Sequence, residues 1–99
     1  MGDDRVLENF VDSSGRLVAI PVQHKKRLVV LRWLAEEFQP GRLYPEADVN
    51  RILARRHPDF WALRRHLVDE ELLQRDHGVY WRTGSVPNTG FDPPTWPEP

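Results

Sequence analysis

Between residues 44 and 82 the chain carries two short amphipathic segments, a proline break between them, and a glycine-centred turn between two runs of strand-forming residues. That order leaves few folds open. In the first segment Val49, Ile52 and Leu53 fall at i, i+3 and i+4, which makes one apolar helical stripe. Pro45 suits the first helical position, where its missing N–H is no loss and its φ is already right. Glu46 and Asp48 match the positive end of the helix dipole, and Arg55, Arg56 and His57 the negative end. Pro58 stops the helix, because the residue before a proline avoids the α region. Asp59 is a natural N-cap for the next segment. Phe60, Leu63, Leu67 and Val68 then form the inner face of a second helix over residues 59–70. Leu72 and Leu73 lead into strand-like Gln74 and Arg75. Asp76, His77 and Gly78 supply turn chemistry, and Val79, Tyr80, Trp81 and Arg82 a second strand. Helix, turn, helix and hairpin is the order of a small winged helix-turn-helix, an α+β fold whose second helix and hairpin wing face a partner.

Upstream of this stretch the sequence predicts an N-terminal helix and strand extension. Residues 4–12 read as a short helix with Val6, Leu7, Phe10 and Val11 on its apolar side. Ser13, Ser14 and Gly15 break it, and residues 16–20 read as a strand ended by Pro21. Residues 23–38 carry the longest helical pattern, with Leu28, Leu31, Leu34, Ala35 and Phe38 on one face and Val30 and Trp33 widening it. Gln39, Pro40 and Gly41 close that helix. Arg42, Leu43 and Tyr44 read as an extended segment able to join the wing as a third strand. Residues 1–82 are thus expected to form one domain. Residues 83–99 hold five of the nine prolines and no periodicity, so they read as a disordered tail.

At 99 residues and 39% hydrophobic residues, the chain suits one domain with a modest core. It has no cysteine, which excludes disulfides and thiolate metal sites. No apolar run approaches the roughly 20 residues of a membrane helix, and the acidic start lacks the apolar core of a signal peptide. The expected location is by default the cytoplasm, with no membrane partner. The net charge of −1 conceals a strong asymmetry. Residues 16–65 hold eleven Lys/Arg against five acids, or +6. Residues 1–12 carry −3 and residues 66–99 carry −4. A basic middle concentrated on the helix pair is the footprint of a polyanion-binding face.

One set of residues runs through the chain: Gly15, Arg16, Leu17, Pro21, Lys26, Leu31, Phe38, Tyr44, Glu46, Val49 and Asn50, then Asp59, Leu63, Arg64, Arg65, Leu67, Val68, Arg75, Tyr80, Trp81 and Arg82. On these residues the sequence resembles the prokaryotic domain of unknown function 2087 over roughly residues 10–82. It departs from that family in Pro45, where a hydroxyl cap is more frequent, and in Glu70 and Glu71, where a glycine is usual. Members occur alone or fused behind ArsR-type helix-turn-helix regulators. The resemblance therefore implies a regulator-associated, DNA-binding-like domain.

The candidate nucleic-acid contacts are Arg51, Arg55, Trp61, Arg64, Arg65 and His77. Arg64 and Arg65 lie about 100° apart around a helix axis, so they cannot point the same way. The expectation is that Arg65 faces solvent near Trp61 and that Arg64 leans toward the first helix or the wing. Arg51 and Arg55, at i, i+4, share a side of the first helix, where they line phosphates or form a solvated face. Asn50 suits a structural bridge. Lys25, Lys26 and Arg27 place cations at the wrong end of the long helix, unless a polyanion is wanted there or the helix starts later. The four histidines lack metal-ligand spacing, and no nucleophile, phosphate-loop or metalloprotease motif is present. The expected role is accordingly binding without catalysis or cofactor. The expected partner is double-stranded DNA. The alternative is a protein-interaction or dimerisation module, with a protein partner or a second copy, anchored by Trp33 or Trp61.

Overall fold

The computed structural model describes residues 2–84. In chain order these form α1 (Gly2–Phe10), α2 (His24–Ala35), β1 (Tyr44–Pro45), α3 (Glu46–Ala54), α4 (Phe60–Asp69), β2 (Leu73–Asp76) and β3 (Val79–Arg82). The three strands make one antiparallel sheet in the order β1-β3-β2. Four helices with this sheet form an α+β, winged-helix-like fold, as the sequence order predicts. The expected tail lies outside the described residues from position 85 onward. Thr83, just past β3, is tied to the residue before β2, since its N–H donates to the Leu72 carbonyl at 3.0 Å.

One core joins every layer. Val30, Leu31, Leu34 and Phe38 come from α2 and its exit, Val49 and Leu53 from α3, and Leu63 and Leu67 from α4; all are fully enclosed. Each such side chain contributes roughly 1.5–3 kcal/mol by leaving water. Tyr44 and Tyr80 face each other across β1 and β3 and seal the core from the sheet side. The Phe38 ring meets Tyr44 edge to face with centroids 5.0 Å apart.

Three local expectations are corrected. Residues 16–20 form no strand: a single bridge joins Val11 to Leu17. The Leu17 N–H donates instead to the Arg56 carbonyl at 2.7 Å, so the segment is tied to the exit of α3 and no ladder can continue. Pro45 is not the first residue of α3. It is the second residue of β1, at φ −58 and ψ 151, and α3 begins at Glu46, whose N–H donates to the Gly78 carbonyl at 3.0 Å. The sheet wins because Pro45 needs no amide donor to sit at its edge. Asp59 occupies the N-cap position of α4 but makes no capping bond. Its ψ of 59 is far from the extended backbone a cap needs. Its own N–H donates to His57 Nδ1 at 3.0 Å.

The long helix is also shorter than its periodicity suggests. It ends at Ala35, and Phe38 reaches the core from the following turn. The cations at its start are explained in part by Arg27, whose guanidinium folds back to donate to the Val22 carbonyl at 3.0 Å. Gly15 stands where a side chain would lie 2.8 Å from the Arg56 guanidinium, which itself donates to the Gly15 carbonyl. The turn between β2 and β3 has His77 at φ 50 and Gly78 at φ 79, the pair of positive angles that lets a two-residue hairpin follow the strand twist.

Candidate nucleic-acid interface

Helix α4 owes its orientation to two residues, Leu63 and Leu67, one turn apart and fully buried. Fixing them fixes the rest by helical geometry. Trp61 and Arg65, also one turn apart, are turned outward. Trp61 stays 58% exposed, and the Arg65 side chain 83%. Its only ion pair among the described residues is with Asp69 at 3.8 Å, one turn further on. Arg64 takes the other direction. Its guanidinium donates to the Asn50 side-chain carbonyl of α3 and stands 4.0 Å from the Glu46 carboxylate. Glu46 in turn accepts from the Tyr80 hydroxyl at 3.0 Å. Arg64, Asn50, Glu46 and Tyr80 thus pin α4, α3 and the sheet together, and Asn50 has the bridging role its place beside the apolar stripe suggests.

Between the outer face of α4 and the hairpin lies an open cleft of about 350 Å³. Trp61, Arg64, Arg65 and Asp69 line it from the helix, and Arg75 and Tyr80 from the strands. Arg75 was not among the contacts expected from sequence. It lies directly opposite Tyr80 across β2 and β3, and only that register shows that it shares a wall with Arg65. It has no ion pair among the described residues. The acids at the end of α4 do not cancel this charge. Glu70 turns away to accept from His24 Nε2 at 2.9 Å, and Glu71 lies past the helix end. Only Asp69 remains in the cleft.

His77 sits at the tip of the wing, fully exposed and 2.8 Å from the Asp76 carboxylate. That hydrogen bond, with the carboxylate's charge, raises the imidazole pKa above its ordinary value. His66, on the flank of α4, moves the other way: partial burial, with Arg27 nearby, lowers its pKa against the opposing pull of Asp69 and Glu70.

The structure does not bring Arg51 and Arg55 to this cleft. Asn50 faces α4, and the next residue is turned about 100° around α3. Arg51 and Arg55 therefore line a separate concavity against the chain entering β1. Trp33, expected as an exposed anchor, is half-buried beneath the Arg56 guanidinium, 4.8 Å from its ring centre. Among the described residues, no three His, Cys, Asp or Glu side chains converge, and no helix is long and apolar enough to cross a membrane.

The family described as an uncharacterized protein conserved in bacteria (DUF2087) matches residues 16–82. The matched span takes in the core, the helix pair and the whole sheet, and leaves α1 outside it. No curated protein and no solved structure gives a match.

Proposed function

This chain belongs to the bacterial family of uncharacterized proteins DUF2087, and on that premise we propose that it binds double-stranded DNA through the cleft between α4 and the β2–β3 hairpin. The observation that carries this reading is the convergence of Arg64, Arg65 and Arg75 with the exposed Trp61 around one cleft holding a single acid. Helix α4 enters the major groove, Arg65 meets a phosphate or a base edge, and Arg75 and His77 follow the flanking backbone from the wing. Arg64 supports from behind by holding α4 on α3. The resemblance to domains fused behind ArsR-type regulators supports a role in transcription regulation. Such a role belongs in the cytoplasm and needs neither catalysis nor a cofactor.

The test is an anisotropy titration of a short mixed-sequence duplex at several salt concentrations. The wild-type chain is expected to bind at least as tightly as non-specific binders do, with a Kd of ~10⁻⁴–10⁻⁶ M at physiological salt. Arg65→Ala and Arg75→Ala should each weaken binding and reduce the salt slope by about one. No binding at about 10⁻⁴ M even at low salt, or wild-type slopes in both variants, would refute the reading.

A second reading, a protein-interaction or dimerisation module, draws on a different observation. Val18 and Val22, between α1 and α2, are 60% and 93% exposed. Light scattering after size exclusion separates the two. A dimer lost in Val18→Ser/Val22→Ser, with DNA binding absent, supports the second reading.

A further inference from the structure

The concavity that holds Arg51 and Arg55 is a second basic site on the side of α3 away from the α4 cleft. We propose that it binds a phosphate group, held by Arg42 and Arg55 with the Tyr44 hydroxyl. The space is about 200 Å³, several times the roughly 30 Å³ share of one water in the liquid. It is open enough for a phosphate that keeps part of its hydration. This site shares no residue with the α4 cleft and does not depend on that reading.

The charge accounting favours an anion. Two acids line the concavity, and each already has a guanidinium partner. Glu37 is paired with Arg56 at 2.8 Å, and Asp48 with Arg51 one turn along α3. Arg42 and Arg55 remain uncommitted to any acid among the described residues. Arg42 is held in place by its stack over Tyr44, 5.0 Å from the ring centre. Arg55 follows Arg51 at i, i+4, a like-charge spacing that costs a few tenths of a kcal/mol in a bare helix. Arg16 adds a further cation nearby, donating to the Arg55 carbonyl at 3.1 Å.

The neutral donor is also set in advance. The Tyr44 hydroxyl accepts the Gln39 N–H at 2.8 Å, which fixes the oxygen. Among the described residues its own proton has no acceptor, so it is available to an oxyanion in the concavity. Planar guanidinium forks suit phosphate oxygens, and charge-assisted bonds of this kind are the strong ones.

The test titrates the ¹⁵N-labelled chain with inorganic phosphate, using chloride at equal ionic strength as the reference. Phosphate is expected to shift the signals of Gln39, Tyr44 and Arg55 saturably. Arg42→Gln/Arg55→Gln should weaken that binding by about tenfold or more, as expected for a lost charge-assisted contact. Both side chains are exposed, so the double variant should fold, and its melting curve confirms that before titration. A parallel DNA titration identifies the source of the phosphate. A salt slope lowered by about one or two in the double variant assigns the site to a phosphodiester of bound nucleic acid. An unchanged slope, or a chain that binds no DNA, assigns it to a free phosphate group. The proposal is overturned if phosphate shifts these signals no more than chloride does, or if the double variant binds phosphate as the wild type does.

Discussion

Glu71 stands at φ 60, in the left-handed region, one residue past the C-cap of α4. Its N–H donates to the Val68 carbonyl at 3.0 Å, and the Leu72 N–H to the Leu67 carbonyl at 2.8 Å. This is the paired closure that ends many helices, and it prefers glycine at the position Glu71 fills. A side chain there costs roughly 1 kcal/mol. Glu71→Gly should therefore stabilise the fold by about 0.5–1 kcal/mol, after allowing for the freer unfolded chain. For a domain this small that raises the melting temperature by a few degrees, about 2–8 °C. An unchanged or lower Tm in a circular-dichroism melt would contradict this. The resemblance, which puts a glycine near here, and the backbone angle point to the same residue independently.

At the scale of elements, the packing of α3 on α4 depends on one polar tie as well as on leucines. Arg64 is only 23% exposed and bonds to Asn50, while Glu46 connects it to Tyr80 of β3. Removing the guanidinium leaves the half-buried Asn50 amide and the more exposed Glu46 carboxylate without this partner. Arg64→Ala should cost about 1–3 kcal/mol, and Arg65→Ala no more than ~0.5 kcal/mol, as for a surface residue. Chemical denaturation of the two variants side by side checks this. Equal midpoints for both would mean that the tie contributes nothing. The same comparison protects the DNA test, since a loss of binding in Arg65→Ala could not then be blamed on unfolding.

At the scale of the whole molecule, His66 links stability to pH. Its folded pKa is lowered, first by burial and then by Arg27 of α2, with Arg65 adding to the same direction and Asp69 and Glu70 opposing it. The unfolded ring takes its proton near about 6.5, and the folded ring only below that. The stability carried by the neutral ring is therefore present above about 6.5 and lost as pH falls through the depressed folded value. In His66→Gln that loss should be missing. The difference in Tm between wild type and variant should shrink or reverse from pH 7.5 to pH 5, about the span in which histidine titrates. A difference that stays constant over the range would rule out this linkage.

Much of the fold was legible along the chain. The stripe of Val49, Ile52 and Leu53, the leucines of α4 and the His77-Gly78 turn are local signals, and each produced its element, although α3 ends at Ala54, short of Pro58 and of residues 55–57, read as its last turn. Local signals failed where a distant group competed. The segment 16–20 has strand composition, but the Leu17 amide was taken by the Arg56 carbonyl. Pro45 reads as a helix start, but Tyr80 and Val79 drew Tyr44 and Pro45 into the sheet. The candidate site divides in the same way. Helical geometry alone separated Arg65 from Arg64, because 100° per residue is a property of any helix. Arg75 entered the cleft only through the β2–β3 register, and Arg51 and Arg55 left it only through the way α3 packs, with Val49 and Leu53 in the core and Asn50 toward α4. Periodicity fixes which side of its own element a residue occupies. Which sides then meet depends on how the elements pack around the shared core, and that is a tertiary outcome.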